Sequence, residues 1–399
     1  MTYNWSQTPM KICELHIPLK NKYYLHMKIE RYLKDSIAEK LFKNKAIIVI
    51  GARQIGKTTL LNELLSSYEN TLFLDGDDRI TRALLQNPST EEIKNIIGNH
   101  KIVFIDEVQR INNIGLTSKI IVDQFKEVQL LLSGSSAFDI KNVTSESLTG
   151  RKWEYNMYPI TWKELENTAG YVKGMQQLDL RLVYGMYPEI ITHPSEEKER
   201  LKQLVDSYLY QDLLAFSNIK KPDVLEKLLK ALAFQMGSEV SFNELSQLLN
   251  IDKNTVANYI QILEKGFVIF TLNGYSKNLR NELKFAKKIY FWDNGVRNTI
   301  INNFNSIEMR NDKGELWENF IISERKKKNN YENPSIKSYF WRTTTQQEID
   351  YIEVENENVT AFEIKANENA KIKKFEKFKE AYRTEVKIIH KNNFRDLLI

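Results

Sequence analysis

Cys13 is the only cysteine in a chain of 399 residues, which excludes an internal disulfide and any cysteine-built zinc or redox centre. The five histidines are scattered, with none in metal-ligand spacing to another, so nothing argues for a structural metal. No uninterrupted apolar run approaches the roughly 18 residues that a membrane-spanning helix needs. Met1 to Tyr24 lacks the apolar stretch of a secretory signal. A soluble protein with no membrane partner and a cytoplasmic location is therefore expected. Charge of one sign is scarce too, since a formal +5 is small for this size and does not by itself single out a nucleic-acid partner. There is no internal repeat, and only the Lys-rich helix expected over Lys371 to Lys379 verges on biased composition.

What is present is apolar and aromatic material for folded domains, at 42% and 11% of the residues. The length fits two or three domains. Residues 1–26 read as an extension, with an ordered N-terminal strand as the alternative, and Met27 opens an amphipathic pattern. Ala46 to Ile50 is apolar on both faces, which suits a strand buried in a parallel sheet. Leu72 to Asp75, Ile102 to Ile105 and Val128 to Leu132 follow, alternating with helical stretches at Leu60 to Tyr68, Thr90 to Gly98 and Gly115 to Phe125. That alternation predicts βαβ units and a doubly wound α/β core. Trp162 to Phe216 reads helical throughout, punctuated by Gly185 and Pro188. Three helices are expected over 222–237, 242–249 and 254–264, then a strand at Phe267 to Phe270 and a final α/β segment from Gly314.

The segment Gly51, Ala52, Arg53, Gln54, Ile55, Gly56, Lys57, Thr58, Thr59 fits the phosphate-loop pattern and sits between a buried strand and a helix, where its chemistry demands. The glycines let backbone amides turn around phosphate oxygens, and the helix adds its positive N-terminal end. Lys57 is expected on the β and γ phosphates of ATP and Thr58 on Mg²⁺. A second metal-side carboxylate should come from a neighbouring strand, and Asp106 supplies it at the end of Ile102 to Ile105. Glu107 is placed to polarise the attacking water. Ser133, closing the next apolar strand, is the candidate to contact the γ-phosphate or that water.

These residues carry a resemblance. GARQIGKTTL at 51–60, FIDEVQR at 104–110, LLLSGSSAF at 130–138, SLTGR at 147–151, YGMYPE at 184–189 and IYFWDNG at 289–295 together resemble archaeal and bacterial ATPases of the AAA+ superfamily. Those proteins carry a P-loop core, a helical lid, a winged helix and a C-terminal nuclease-like domain. The resemblance implies a core over 27–160, a lid over 161–220, a winged helix over 221–300 and a PD-(D/E)xK nuclease-like domain over 301–399. It makes Arg151 the candidate arginine for γ-phosphate charge, in cis or across a subunit contact. A homo-oligomer is compatible with it, although no ring-specific signal is present. The family usually has two glycines where this chain has Gly185-Met186, which puts the lid turn in doubt.

Phe242 to Leu249 and Asn254 to Glu264 have helix-turn-helix lengths, with Asp252 or Asn254 as the cap. The second helix offers Lys253, Asn254, Thr255, Asn258 and Gln261 but no arginine for guanine. Lys277, Arg280, Lys284, Lys287 and Lys288 follow and suit a phosphate backbone of DNA or other nucleic acid without base reading. Near the C-terminus, Glu363 and Lys365 share one strand face, with Asp350 on an adjacent strand and Glu318 on a preceding helix. This set resembles the acid, acid-x-lysine site of PD-(D/E)xK nucleases, in which carboxylates hold Mg²⁺ and the lysine orients water. The sequence thus predicts an ATP- and Mg²⁺-dependent ATPase coupled to nucleic acid, or an ATP-controlled switch with a silent nuclease-like domain.

Overall fold

A computed structural model describes residues 28–135, 147–207, 221–276, 287–343, 347–368 and 375–399. The expectations for residues 1–26, for Lys277, Arg280 and Lys284, and for part of Lys371 to Lys379 lie outside them.

The first half is a parallel sheet. After helix α1 (Leu33–Ala38) come β1 (Ala46–Gly51), α2 (Lys57–Leu65), β2 (Thr71–Asp75), α3 (Arg79–Leu85), α4 (Thr90–Ile97), β3 (Ile102–Asp106), α5 (Ile114–Gln124), β4 (Gln129–Gly134) and β5 (Lys152–Met157). The order in space is β2-β3-β4-β1-β5, and every neighbouring pair is parallel. β1, β3 and β4 are buried along their whole length, as their apolar runs require. β5 was not anticipated. Its sequence KWEYNM is half-buried at the sheet edge, and its polar residues gave it no apolar run to be seen by.

Helices α6 (Trp162–Ala169), α7 (Tyr171–Tyr184), α8 (Pro188–Thr192) and α9 (Glu197–Val205) follow. The helical run is thus broken at Gly185, as its punctuation suggested, and also at Gly170, both at positive φ. Next are α10 (Pro222–Phe234), β6 (Glu239–Val240), α11 (Phe242–Leu249), α12 (Lys253–Lys265), β7 (Ile269–Gly274) and β8 (Lys287–Phe291). Asp252 caps α12, accepting from the Asn254 and Thr255 amides at 2.9 Å each. The chain ends with α13 (Asn294–Ile300), α14 (Lys313–Glu332), β9 (Lys337–Arg342), β10 (Glu348–Glu355), β11 (Asn358–Ile364), α15 (Glu376–Tyr382), β12 (Val386–Ile389) and α16 (Arg395–Leu398).

These later strands form one seven-stranded sheet in the order β12-β11-β10-β9-β7-β8-β6. The join is a parallel pairing of β7 with β9, Asn273 opposite Tyr339 and Gly274 opposite Phe340. The boundary expected at residues 300 and 301 therefore cuts through a continuous sheet rather than between two separate units. Hydrophobic periodicity locates strands but carries no information on which edges of successive segments pair.

Two of the quoted motifs turn out to be a weld. Asp293, buried ahead of α13, accepts from the Met186 amide at 2.6 Å and the Val296 amide at 3.1 Å. Gly185 has φ +74, and a Cβ there would fall 2.0 Å from the Asp293 carboxylate, so no larger residue fits this approach. Asn298 donates to the Val183 carbonyl at 2.7 Å and Asn294 to Leu182 at 3.1 Å. Met186, where a second glycine was expected, is buried and sits in this joint. The C-terminal end of α7 is thus pinned to α13. Among the described residues no helix is long and apolar enough to cross a membrane.

Candidate functional site

Gly51 closes β1, Ala52 is buried, and Arg53 to Ile55 make the turn of the loop, with Gln54 at φ +59. Gly56 caps α2 at φ +93, a left-handed conformation that costs glycine little. The loop thereby delivers Lys57, Thr58 and Thr59 on the first turn of α2, at the C-terminal edge of the parallel sheet. The Lys57 side chain folds back over the loop and donates to the carbonyls of Gly51 (3.0 Å) and Ala52 (2.8 Å).

Across from it, the Thr58 hydroxyl donates to Asp106 Oδ2 at 2.6 Å. Ser133 donates to the other carboxylate oxygen, Oδ1, which also accepts from the Glu107 amide at 3.0 Å. Two strand ends and a helix start therefore converge on one carboxylate. Ser133 supports Asp106, which differs from the γ-phosphate or water contact expected of it. A hydroxyl beside a carboxylate is a hard-oxygen donor set that fits Mg²⁺, which takes few protein ligands and completes its shell with water and phosphate. Among the described residues no group of three or more His, Cys, Asp or Glu is arranged to hold a metal by itself.

Glu107 follows in a left-handed conformation, φ 48, that turns it off the strand. Burial pushes its carboxyl up from the ordinary range, while Lys57 and the Gln109 amide pull it down. Gln109 donates to both the Glu107 carboxylate and Ser135 Oγ, the latter at 2.9 Å. The sequence reading passed over Gln109, although it lies two residues from Glu107 within the quoted FIDEVQR.

Arg151 is not brought to the loop. It precedes β5 at the opposite, N-terminal edge of the sheet, where its carbonyl accepts from the Ala46 amide. Its guanidinium pairs with Asp123 at 2.7 Å. A strand of six residues spans about 20 Å, so the expected contact in cis is ruled out by distance.

Arg31 takes a place that the sequence did not suggest. It donates to the Ile55 carbonyl in the loop and to the Tyr158 carbonyl, both at 2.6 Å, and to Glu164 at 3.2 Å. Beside it is a cavity of about 190 Å³ lined by Ile29, Arg31, Thr59, Leu60, Ile160 and Pro188. Nothing in spacing separates Arg31 from Lys28 or Lys34; its importance comes from tertiary placement alone.

The C-terminal constellation is also gathered. Lys365 lies 2.5 Å from Glu363 and 3.8 Å from Asp350, and Asp350 accepts from the Ile364 amide at 2.8 Å. Glu318, on α14, accepts from the Tyr290 hydroxyl at 2.7 Å. Lys288 was expected on a phosphate backbone, but it is 2% exposed and points into this cluster. It pairs with Glu348 and lies 3.6 Å from Glu318. Lys287 lies over the Phe242 ring.

Comparison with known proteins matches residues 43–166 to the family model of an AAA domain. Residues 175–306 and 313–397 match two domains of unknown function, DUF8612 and DUF4143. The chain is similar to uncharacterized protein MJ1544 of Methanocaldococcus jannaschii, 24% identical over 377 residues, covering 87% of this chain and 81% of that one. It is also similar to an uncharacterized protein of Haemophilus influenzae, 25% identical over 304 residues, covering 68% and 73%. Among solved structures, Cdc6p from Pyrobaculum aerophilum aligns with a TM-score of 0.30 at 12% identity, covering 66% of this chain and 90% of that one. PCH-2 of C. elegans aligns at 0.26 and 14%, covering 61% and 73%. Those scores are too low to bear on function. The loop, its acidic strand and the parallel sheet all fall within the residues matched to the AAA domain model.

Proposed function

We propose that the chain hydrolyses ATP with Mg²⁺ at the loop and couples turnover to nucleic-acid binding by its second half. Lys57 would hold the β and γ phosphates, Thr58 and Asp106 the metal, and the cavity beside Arg31 the nucleobase. Bound Mg²⁺ supplies charge neutralisation on the phosphates. Glu107 would take the proton from the attacking water, and its buried, upward-shifted carboxyl suits a base working near neutral pH.

The observation that carries the coupling is a continuous set of contacts from the loop to α14. Arg31 joins Ile55 to Tyr158. The Tyr158 amide donates to the Tyr331 hydroxyl at 2.9 Å, and Asn330 donates to the Tyr158 hydroxyl at 2.9 Å. Tyr32 stacks on Tyr331 at 5.6 Å. At the start of α6, the Trp162 amide donates to Glu324 at 2.6 Å. Rearrangement of the loop around phosphate would therefore be felt by the helix that carries Glu318.

Lys253, Asn254, Asn258 and Gln261 are exposed on α12 and suit backbone contact without base selection. The test is the ATPase rate of the full chain with and without duplex DNA. Stimulation that fades steeply as salt rises from about 50 to 200 mM is expected for such contacts. The burial of Lys288 favours a second reading, an ATP-controlled protein switch, because it withdraws one basic residue from the proposed surface. Slow turnover indifferent to every nucleic acid tried, with tightly retained nucleotide, would select that reading.

A further inference from the structure

The cluster around Glu318 has the carboxylates of a divalent-metal site, but ammonium groups already stand among them. Lys288 enters from β8, a strand buried on nearly its whole length, opposite Leu272 on one neighbour and Glu239 on the other. Its ammonium pairs with Glu348, lies 3.6 Å from Glu318 and faces the charge of Asp350. Phe340 covers it at 5.6 Å. From the other side Lys365 reaches Glu363 and Asp350. Arg342 takes up Glu239 at 3.1 Å and approaches Glu348 at 3.8 Å.

We infer that the Lys288 ammonium is the built-in counter-cation of this cluster, so that the site takes no divalent metal and does not support metal-dependent cleavage of nucleic acid. The reasoning is electrostatic and steric. An ammonium is buried at large cost unless it keeps a carboxylate partner, so its position commits Glu348, its direct partner, to it. A Mg²⁺ or Mn²⁺ ion would need carboxylate oxygens drawn in to about 2.1 Å, next to a positive charge that cannot reach water. Among the described residues no three acidic or histidine side chains converge closely enough to hold a metal, in keeping with carboxylates spread around ammonium groups instead. The donor set therefore does not fit the metal that the acid, acid-x-lysine pattern implied. Lys288 lies outside that pattern, since it belongs to a strand more than twenty residues before α14 begins.

The experiment is a calorimetric titration of the full chain with Mn²⁺, in a background of Asp106→Asn that removes the metal-side carboxylate of the AAA domain. With Lys288 present no saturable binding at the cluster is expected. Replacing Lys288 by Met should create a site at least about tenfold tighter, abolished by adding Asp350→Asn. Lys288→Gln is the second variant should Met fail to fold, and ATP turnover by the single Lys288 variants, in a chain with Asp106 intact, reports that each is folded. Mn²⁺ binding in the presence of Lys288 that disappears with Asp350→Asn would overturn the inference. So would folded Lys288 variants that gain no Mn²⁺ affinity, because the ammonium would then not be standing where the cation goes. Mn²⁺-dependent nicking of plasmid DNA lost on Asp350→Asn would overturn it as well.

Discussion

Lys57 and Lys288 are both buried lysines beside carboxylate-bearing strands, yet they are held in opposite ways. Lys57 donates to two neutral carbonyls of its own loop, partners that a phosphate outbids because it carries full charge. Lys288 sits among carboxyl groups contributed by α14 and β10 and pairs directly with Glu348, and no incoming cation can displace it without leaving an ammonium stranded. The first arrangement is built to exchange its partners and the second to keep them. A list of residue types does not distinguish the two; the charge state of the lysine's partners does.

The largest expected effect breaks the exchanging site. Lys57→Ala should cost nucleotide binding and about a thousandfold in turnover, the scale of losing a preorganised charge on a transferring phosphoryl group. Glu107→Gln should still bind ATP while turnover falls by about 10² to 10⁴. Steady-state ATPase rates together with equilibrium binding of a non-hydrolysable ATP analogue measure both. Normal turnover in Glu107→Gln would remove the base assignment and leave the binding roles of Lys57 and Asp106 standing. Lys365→Ala, in the C-terminal cluster, should leave the rate within about twofold, because changes remote from a site usually act independently of it.

Next in size is Arg31, which joins the two halves. Its side chain and that of Glu164 are almost wholly buried, so Arg31→Ala strands a carboxylate and should cost about 3 kcal/mol of stability. Arg31→Lys keeps the charge but loses the planar fork that reaches Ile55, Tyr158 and Glu164 together. It should therefore raise KM for ATP with little loss of fold. Urea denaturation separates the two effects. A Lys variant with unchanged KM would show that Arg31 serves the fold alone.

Much of the loop site was legible because its parts are local. Gly51 to Thr59 are contiguous, and Asp106 and Ser133 each close an apolar run that announces a buried strand. The C-terminal residues were legible through strand parity, which placed Glu363 and Lys365 on one face. Arg31, Gln109 and Lys288 were not, for a common reason: each acquires its role from a partner on another element. Lys288 in particular was read with its basic neighbours as surface, because sequence shows a run of lysines but not which of them the sheet turns inward. The contact of Arg151 in cis failed for the converse reason. Its sequence position before the helical segment looks close to the core, but the parallel strand that follows it starts at the edge remote from the phosphate loop.

The smallest expected effect tests the keeping site through Glu318. Burial, the largest cause, pushes its carboxyl up to about 7, with Asp350 and Glu348 adding to the rise while Lys288 and the Tyr290 hydroxyl oppose it. Lys365 faces the same group from the end of β11. With an unfolded value near 4.5, the folded chain holds this proton between roughly pH 4.5 and 7 while the unfolded chain has lost it. Stability must then fall as pH rises through that window and stay lower above it, the reverse of a salt-bridged carboxylate. The pull of the cations is already contained in that shift, and between pH 5 and pH 8 it corresponds to a loss of about 2.5 kcal/mol. Glu318→Gln removes the titration and keeps a neutral partner for Tyr290. Urea midpoints for both chains at pH 5 and pH 8 should show the original chain losing ground to the variant at the higher pH. Parallel pH dependence would mean that Glu318 is ionised throughout and fully paired with Lys288, which would tighten the contrast with Lys57 rather than soften it.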